Sequence, residues 1–154
     1  MSITPDIYPV NTLSQLEEWA RCFAEIVKPG DIITLDGPLG AGKTTLAQFL
    51  GKFWGLEDTM TSPTYALIHE YETARFPLFH IDCYRLGPAH ANSLAEELGD
   101  ELGTSQSVFL VEWATYSTFF SEAATHRITL NLDLLADSPD GSLPETRKLH
   151  WVSS

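Results

Sequence analysis

An α/β fold, with a mixed sheet of parallel centre and antiparallel edge strands and helices on both faces, follows from three features of the sequence. Short apolar strands alternate with amphipathic helical patterns, a glycine-rich turn joins one strand directly to a helix, and two late strands are joined by a turn-rich loop. The 154 residues are the length of one domain, so residues 1–154 are read as a single unit. No repeat, low-complexity tract or long linker divides them.

The elements run in order. Thr12-Leu13-Ser14-Gln15 has the form of a capping box, and Leu13, Leu16, Ala20, Phe23, Ala24 and Val27 recur at helical spacing until Pro29-Gly30. Asp31 to Asp36 is a short apolar strand, Gly37 to Gly42 a glycine-rich turn, and Leu46, Leu50 and Phe53 mark the next helix. Strand, glycine turn and helix open a βαβ unit. Tyr65 to Tyr71 alternates as a strand does, and Phe76 to Cys83 is another. A helix follows near Ala89 to Leu98, then a nearly continuous apolar strand from Val108 to Val111. Arg127 to Leu132 and Arg147 to Val152 are the late strands, with a turn-rich loop at Ala136 to Ser142 between them.

Composition narrows the partners. With 44% hydrophobic and 19% charged residues the chain is too apolar for disorder, and no apolar run approaches the roughly 20 residues that cross a bilayer. The first residues lack a signal-peptide pattern, so no membrane role and a cytoplasmic location are expected. Cys22 and Cys83 fit neither a metal spacing nor a disulfide framework and are expected to be reduced and buried. A formal charge of −12 opposes direct grip on a phosphate backbone. The acidic run from Glu96 to Glu101 and the acids Asp133, Asp137 and Asp140 read as solvated surface, with a docking patch for a basic partner as the alternative.

Gly37-Pro38-Leu39-Gly40-Ala41-Gly42-Lys43-Thr44 matches G-x-x-x-x-G-K-[ST] at every fixed position, between a predicted strand and a predicted helix. Such a loop turns successive N–H groups toward phosphate oxygens, and the following helix adds the positive end of its dipole. Gly37, Gly40, Ala41, Gly42, Lys43, Thr44 and Thr45 are therefore the expected phosphate cradle. Lys43 would reach the β- and γ-phosphates, and the Thr44 hydroxyl would sit on Mg²⁺. An ATPase also needs carboxylates near the metal and the attacking water. Two apolar strands end in an acid, at Asp82 and at Glu112, where they reach the sheet's C-terminal edge. Spacing does not say which acid takes which role, and capping a following helix is the other reading of each. Thr61-Ser62-Pro63-Thr64 has the place and hydroxyls of a γ-phosphate sensor, or of a plain turn. His80, two residues before Asp82, is read as a packed or hydrogen-bonded neighbour without chemical role.

The ordered set Gly37 to Thr45, Thr61-Ser62-Pro63-Thr64-Tyr65, His80-Ile81-Asp82-Cys83-Tyr84-Arg85-Leu86 and Glu112-Trp113 resembles the TsaE family of small bacterial P-loop ATPases. These serve the synthesis of threonylcarbamoyladenosine at position 37 of tRNA. The resemblance runs from about Leu13 to Leu132, and the tail beyond matches loosely. It implies ATP and Mg²⁺ as ligands, Glu112 with Thr44 on the metal, and Asp82 as the catalytic or water-orienting acid alongside Lys43. It also implies Thr64 within the switch-like segment, Trp113 beside the nucleotide, and Arg85 against nearby acids or a partner. TsaD and TsaB are the implied partners, with TsaD the transferase and tRNA met only indirectly.

Three other classes share the loop. A small nucleoside or nucleotide kinase usually clamps the transferred phosphoryl group with extra arginines, but Arg21, Arg75, Arg85, Arg127 and Arg147 are dispersed. A GTP-dependent regulatory switch would carry Asn/Thr-Lys-x-Asp, and none of Lys28, Lys43, Lys52 or Lys148 follows Asn or Thr. A module that holds nucleotide without turnover would use the same loop.

Overall fold

The computed structural model describes residues 2–57, 68–99, 106–134 and 145–154. Seven strands form one sheet in the order β1-β7-β6-β2-β5-β4-β3. They are β1 (Ile7–Pro9), β2 (Ile32–Asp36), β3 (Ile68–Glu72), β4 (Pro77–Asp82), β5 (Val108–Glu112), β6 (His126–Leu134) and β7 (Glu145–Ser153). The centre, β6-β2-β5-β4, is parallel, whereas β3, β7 and β1 join antiparallel. This is the mixed sheet that the sequence predicts.

Helix α1 (Leu13–Ile26) starts at the predicted box: Thr12 Oγ1 accepts the Gln15 N–H at 3.1 Å and Gln15 Oε1 accepts the Thr12 N–H at 3.2 Å. Helix α2 (Lys43–Phe53) follows the glycine turn, and α3 (Cys83–Glu97) follows β4. A 3₁₀ turn at Ala114–Tyr116 and α4 (Thr118–Ala123) follow β5.

Strand alternation sends side chains to two layers. On one face Ile33, Leu35, Leu78, Leu110, Ile128 and Trp151 pack with Leu16, Trp19 and Phe23 of α1 and Leu46 and Leu50 of α2. On the other, Ile32, Phe79, Ile81, Phe109 and Val111 pack with Ala91 and Ala95 of α3 and Phe120 of α4. Trp54 ties the first layer together, donating its indole N–H to the Ala24 carbonyl at 3.2 Å while fully buried. Helices thus cover both faces, and burying each large apolar side chain contributes about 1.5–3 kcal/mol.

Four elements differ from the sequence reading. Helix α3 begins at Cys83, six residues before the predicted Ala89, because Asp82 Oδ1 accepts the Tyr84 N–H at 3.0 Å and caps an extra turn. That turn is interrupted at Gly87, whose φ of 68° is not helical, before Pro88 opens the longer segment. Strand β1 is three residues long and takes its pairing from β7, so no local pattern marks it. The 3₁₀ turn and α4 occupy a stretch too short for helical periodicity. The predicted strand residues Tyr65 to Leu67 and the loop from Ala136 to Ser142 lie outside the described residues. Both cysteines are buried and neither forms a disulfide, as expected.

Candidate functional site

The loop after β2 folds as it does because its glycines adopt backbone that other residues resist. Gly37 has φ 146°, and a Cβ there would stand 2.3 Å from the Leu130 carbonyl oxygen on the neighbouring β6. Gly42, with φ 106°, is the N-cap of α2 and supplies no side chain to its first turn. The first N–H groups of an 11-residue helix are thereby left to face the loop. Gly37→Ala is expected to lower the melting temperature by on the order of 5–10 °C through the clash and the disfavoured φ. A thermal melt equal to the wild type would show that the β2-to-α2 turn relaxes freely.

Register sets the acids in place. Asp82 ends β4 opposite Glu112, which ends β5, and β5 in turn lies beside β2, whose last residue precedes Gly37. The C-terminal edge of the parallel centre therefore carries loop and both carboxylates together. They line a cavity of about 430 Å³ with Gly40, Gly42, Lys43, Thr44, Thr45 and Trp113. Of the other expected cradle residues, Gly37 faces inward through its carbonyl, which accepts from Lys43 Nζ. Ala41 turns its methyl into the core and donates its N–H to the Pro38 carbonyl at 3.1 Å. Thr64 and the rest of the segment from Thr61 lie outside the described residues, as does the side chain of Arg85.

Lys43 is the positive centre of the cavity. Its Nζ donates to the carbonyls of Gly37 and Pro38 at 2.7 and 2.9 Å and stands 4.3 Å from the centre of the Trp113 ring. Burial holds this ammonium below its ordinary pKa, against the upward pull of Glu112, Asp36 and Asp82. Asp36 is shifted the other way: burial raises its carboxyl, opposed by the N–H groups of Thr115 and Ala114 and by Lys43. Burial, with Asp82 and Asp36 nearby, pushes the Cys83 thiol up to about 12, so it stays protonated and inert.

Trp113 follows Glu112 in left-handed backbone, φ 57° and ψ 40°, a strained conformation for a bulky residue. Its N–H donates to the Leu35 carbonyl at 3.0 Å, and the Thr115 N–H reaches Asp36 Oδ1 at 3.3 Å. Tyr84, with its ring 4.9 Å from that of Trp113, and Tyr116, at 6.1 Å, complete an aromatic wall at the cavity mouth.

Both strand-end acids do more than one thing. Asp82 caps α3 and lines the cavity. Glu112 caps no helix, and its Oε2 lies 2.6 Å from His80 Nε2, both side chains buried. Sequence reading saw His80 only as a neighbour. Its signal was available in the parallel register, which places His80 opposite Leu110, one step along the same face from Glu112. Tyr84 and Asp36 were also missed as members of the site.

The donor set suits a nucleotide with its metal: one ammonium, a cradle of N–H groups, the Thr44 hydroxyl and two carboxylates. Among the described residues no group of three or more His, Cys, Asp and Glu could hold a metal alone. Mg²⁺ bound through one or two carboxylates and substrate phosphates needs no such cage. No helix among the described residues is long and apolar enough to cross a membrane.

Known proteins resemble the chain in sequence and in fold. The family model described as threonylcarbamoyl adenosine biosynthesis protein TsaE matches residues 10–138. The tRNA threonylcarbamoyladenosine biosynthesis protein TsaE of Bacillus subtilis (strain 168) is 43% identical over 96 residues, 62% of this chain and 58% of that protein. Its counterpart in Rickettsia bellii (strain RML369-C) is 34% identical over 129 residues, 83% of this chain and 86% of the other. The match thus spans little more than half of the Bacillus relative and most of the Rickettsia one. The crystal structure of Bacillus subtilis YdiB superposes with a TM-score of 0.66 at 25% identity, covering 100% of this chain and 89% of that one. On the family match over residues 10–138, the chain belongs to the TsaE family of threonylcarbamoyl adenosine biosynthesis proteins.

Proposed function

We propose that this protein binds MgATP and hydrolyses it slowly, as the ATP-consuming component of tRNA threonylcarbamoyladenosine synthesis. It works with a TsaB–TsaD complex and is not the transferase. The observation that carries the reading is the gathering of Lys43, Thr44, Asp82 and Glu112 around one cavity at the end of the parallel strands. Family membership supplies the pathway.

In this reading the loop N–H groups and the first turn of α2 hold phosphate oxygens, and Lys43 leaves the Gly37 and Pro38 carbonyls for the terminal phosphates. Thr44 and Glu112 would hold Mg²⁺, which when bound would supply positive charge against the phosphates. Asp82 orients the attacking water and accepts its proton, and Trp113 bounds the nucleotide side of the cavity. Catalysis of this kind is mostly positioning and charge stabilisation, and no arginine lines the cavity among the described side chains, so slow turnover is expected. A surface of charge −12 suits docking on a basic complex better than holding tRNA alone.

The test is hydrolysis of MgATP and MgGTP by the purified protein, alone and with a TsaB–TsaD pair. ATP turnover that rises with the pair is the expected result. Turnover unchanged by the pair or selective for GTP would overturn the role, and phosphotransfer to a nucleoside would make the protein a kinase.

A further inference from the structure

We propose that His80 is a positioning residue for Glu112. Its ring holds one carboxylate oxygen so that the other is presented to the metal side of the nucleotide site. This rests on the reading that Glu112 binds Mg²⁺. His80 and Asp82 are alternate residues of β4 and share a face, and the parallel register sets them beside Leu110 and Glu112 of β5. His80 Nε2 lies 2.6 Å from Glu112 Oε2. A proton on Nε2 makes this an N–H···O hydrogen bond to a carboxylate, among the stronger kinds.

The rest of the ring argues that this bond is why a histidine stands there. His80 is fully buried, and its Nδ1 has no hydrogen-bond partner among the described residues. A buried nitrogen left unsatisfied costs stability, and the preceding residue on the same face, Leu78, is plain apolar core. For packing alone an aliphatic side chain would serve better. What the imidazole adds is a single donor aimed at Glu112. With Oε2 engaged there, Oε1 is the oxygen left for the cavity that Glu112 lines. Hydrogen bonds to a metal-binding carboxylate fix its rotamer and commonly govern metal affinity.

The experiment compares His80→Gln with His80→Asn. The Gln amide extends to about the place of Nε2 and can still donate to Glu112, whereas the shorter Asn amide stops near the place of Nδ1. Both keep a buried amide, so a merely structural role treats them alike. Calorimetry would measure ATP binding in EDTA and across a Mg²⁺ titration, with thermal melts alongside. The Asn variant is expected to need roughly 10–100-fold more Mg²⁺ for half-maximal enhancement, and the Gln variant to stay within about threefold of wild type. Metal-free ATP binding stays within about twofold in both, because His80 does not touch the phosphate cradle. Equal Mg²⁺ responses in the two variants overturn the role of His80. Should the Asn variant not fold, the Gln variant decides: wild-type Mg²⁺ dependence supports the proposal and a tenfold loss overturns it. A wild-type protein that binds ATP without Mg²⁺ dependence, or does not bind it, would instead strike the reading of the nucleotide site itself.

Discussion

Lys43→Ala is expected to weaken ATP binding by roughly a hundredfold or more, and to abolish hydrolysis with it, because a buried charge partner of this kind contributes about 2–5 kcal/mol. The size of the loss follows from the charges around it. Asp36, Asp82 and Glu112 all stand close enough to raise the Lys43 pKa, so without the ammonium their negative field is left uncompensated where the phosphates enter. The fold, however, is expected to survive. Burial already disfavours charged Lys43: its folded pKa lies below the ordinary lysine value, so the charge weakens stability in full below the folded value, and the effect fades as pH rises from there to the ordinary value and is gone above it. Removing it takes away two hydrogen bonds to loop carbonyls that water can replace at an open cavity. Calorimetric titration with MgATP and a thermal melt check both halves. Near-native affinity would place the phosphates elsewhere, and a collapsed melt would make Lys43 a structural residue first.

Much of this site is legible in the sequence because its parts are local. The loop motif reads directly, since each glycine answers a backbone need and the lysine and threonine follow at fixed offsets. Asp82 and Glu112 are legible as acids closing apolar strands, and the parallel order of those strands brings them side by side. What escaped depends on neighbours distant in sequence. His80 acquires its partner 32 residues away through register. Asp36 looks like the last residue of a strand until the turn after β5 comes to it, with Thr115 donating across 79 residues. Strand β1 is a strand only because β7 is beside it. The early start of α3 has another cause: Asp82 is the helix cap that the sequence offers as its alternative reading and also lines the cavity, so both readings hold at once.

That double duty makes the two acids separable by experiment. Asp82→Asn keeps an oxygen for the Tyr84 N–H, so the cap and the fold should persist, while the carboxylate that in the proposed reaction would take a proton from water is lost. Hydrolysis is expected to fall on the order of 10²–10⁴-fold with MgATP affinity nearly unchanged. Glu112→Gln should act differently. Its amide loses the negative charge that in the proposed site would face Mg²⁺, and it must pair with His80 through a group that is now half donor. The expected signature is a Mg²⁺ requirement raised about tenfold or more, with metal-free ATP binding intact. Single-turnover rates and Mg²⁺ titrations on both variants separate these outcomes. If Asp82→Asn moved the Mg²⁺ requirement and Glu112→Gln only the chemical rate, the roles would be exchanged. Glu112 would then be the carboxylate next to the water, and the short bond from His80 would be holding a catalytic acid in place of a metal ligand.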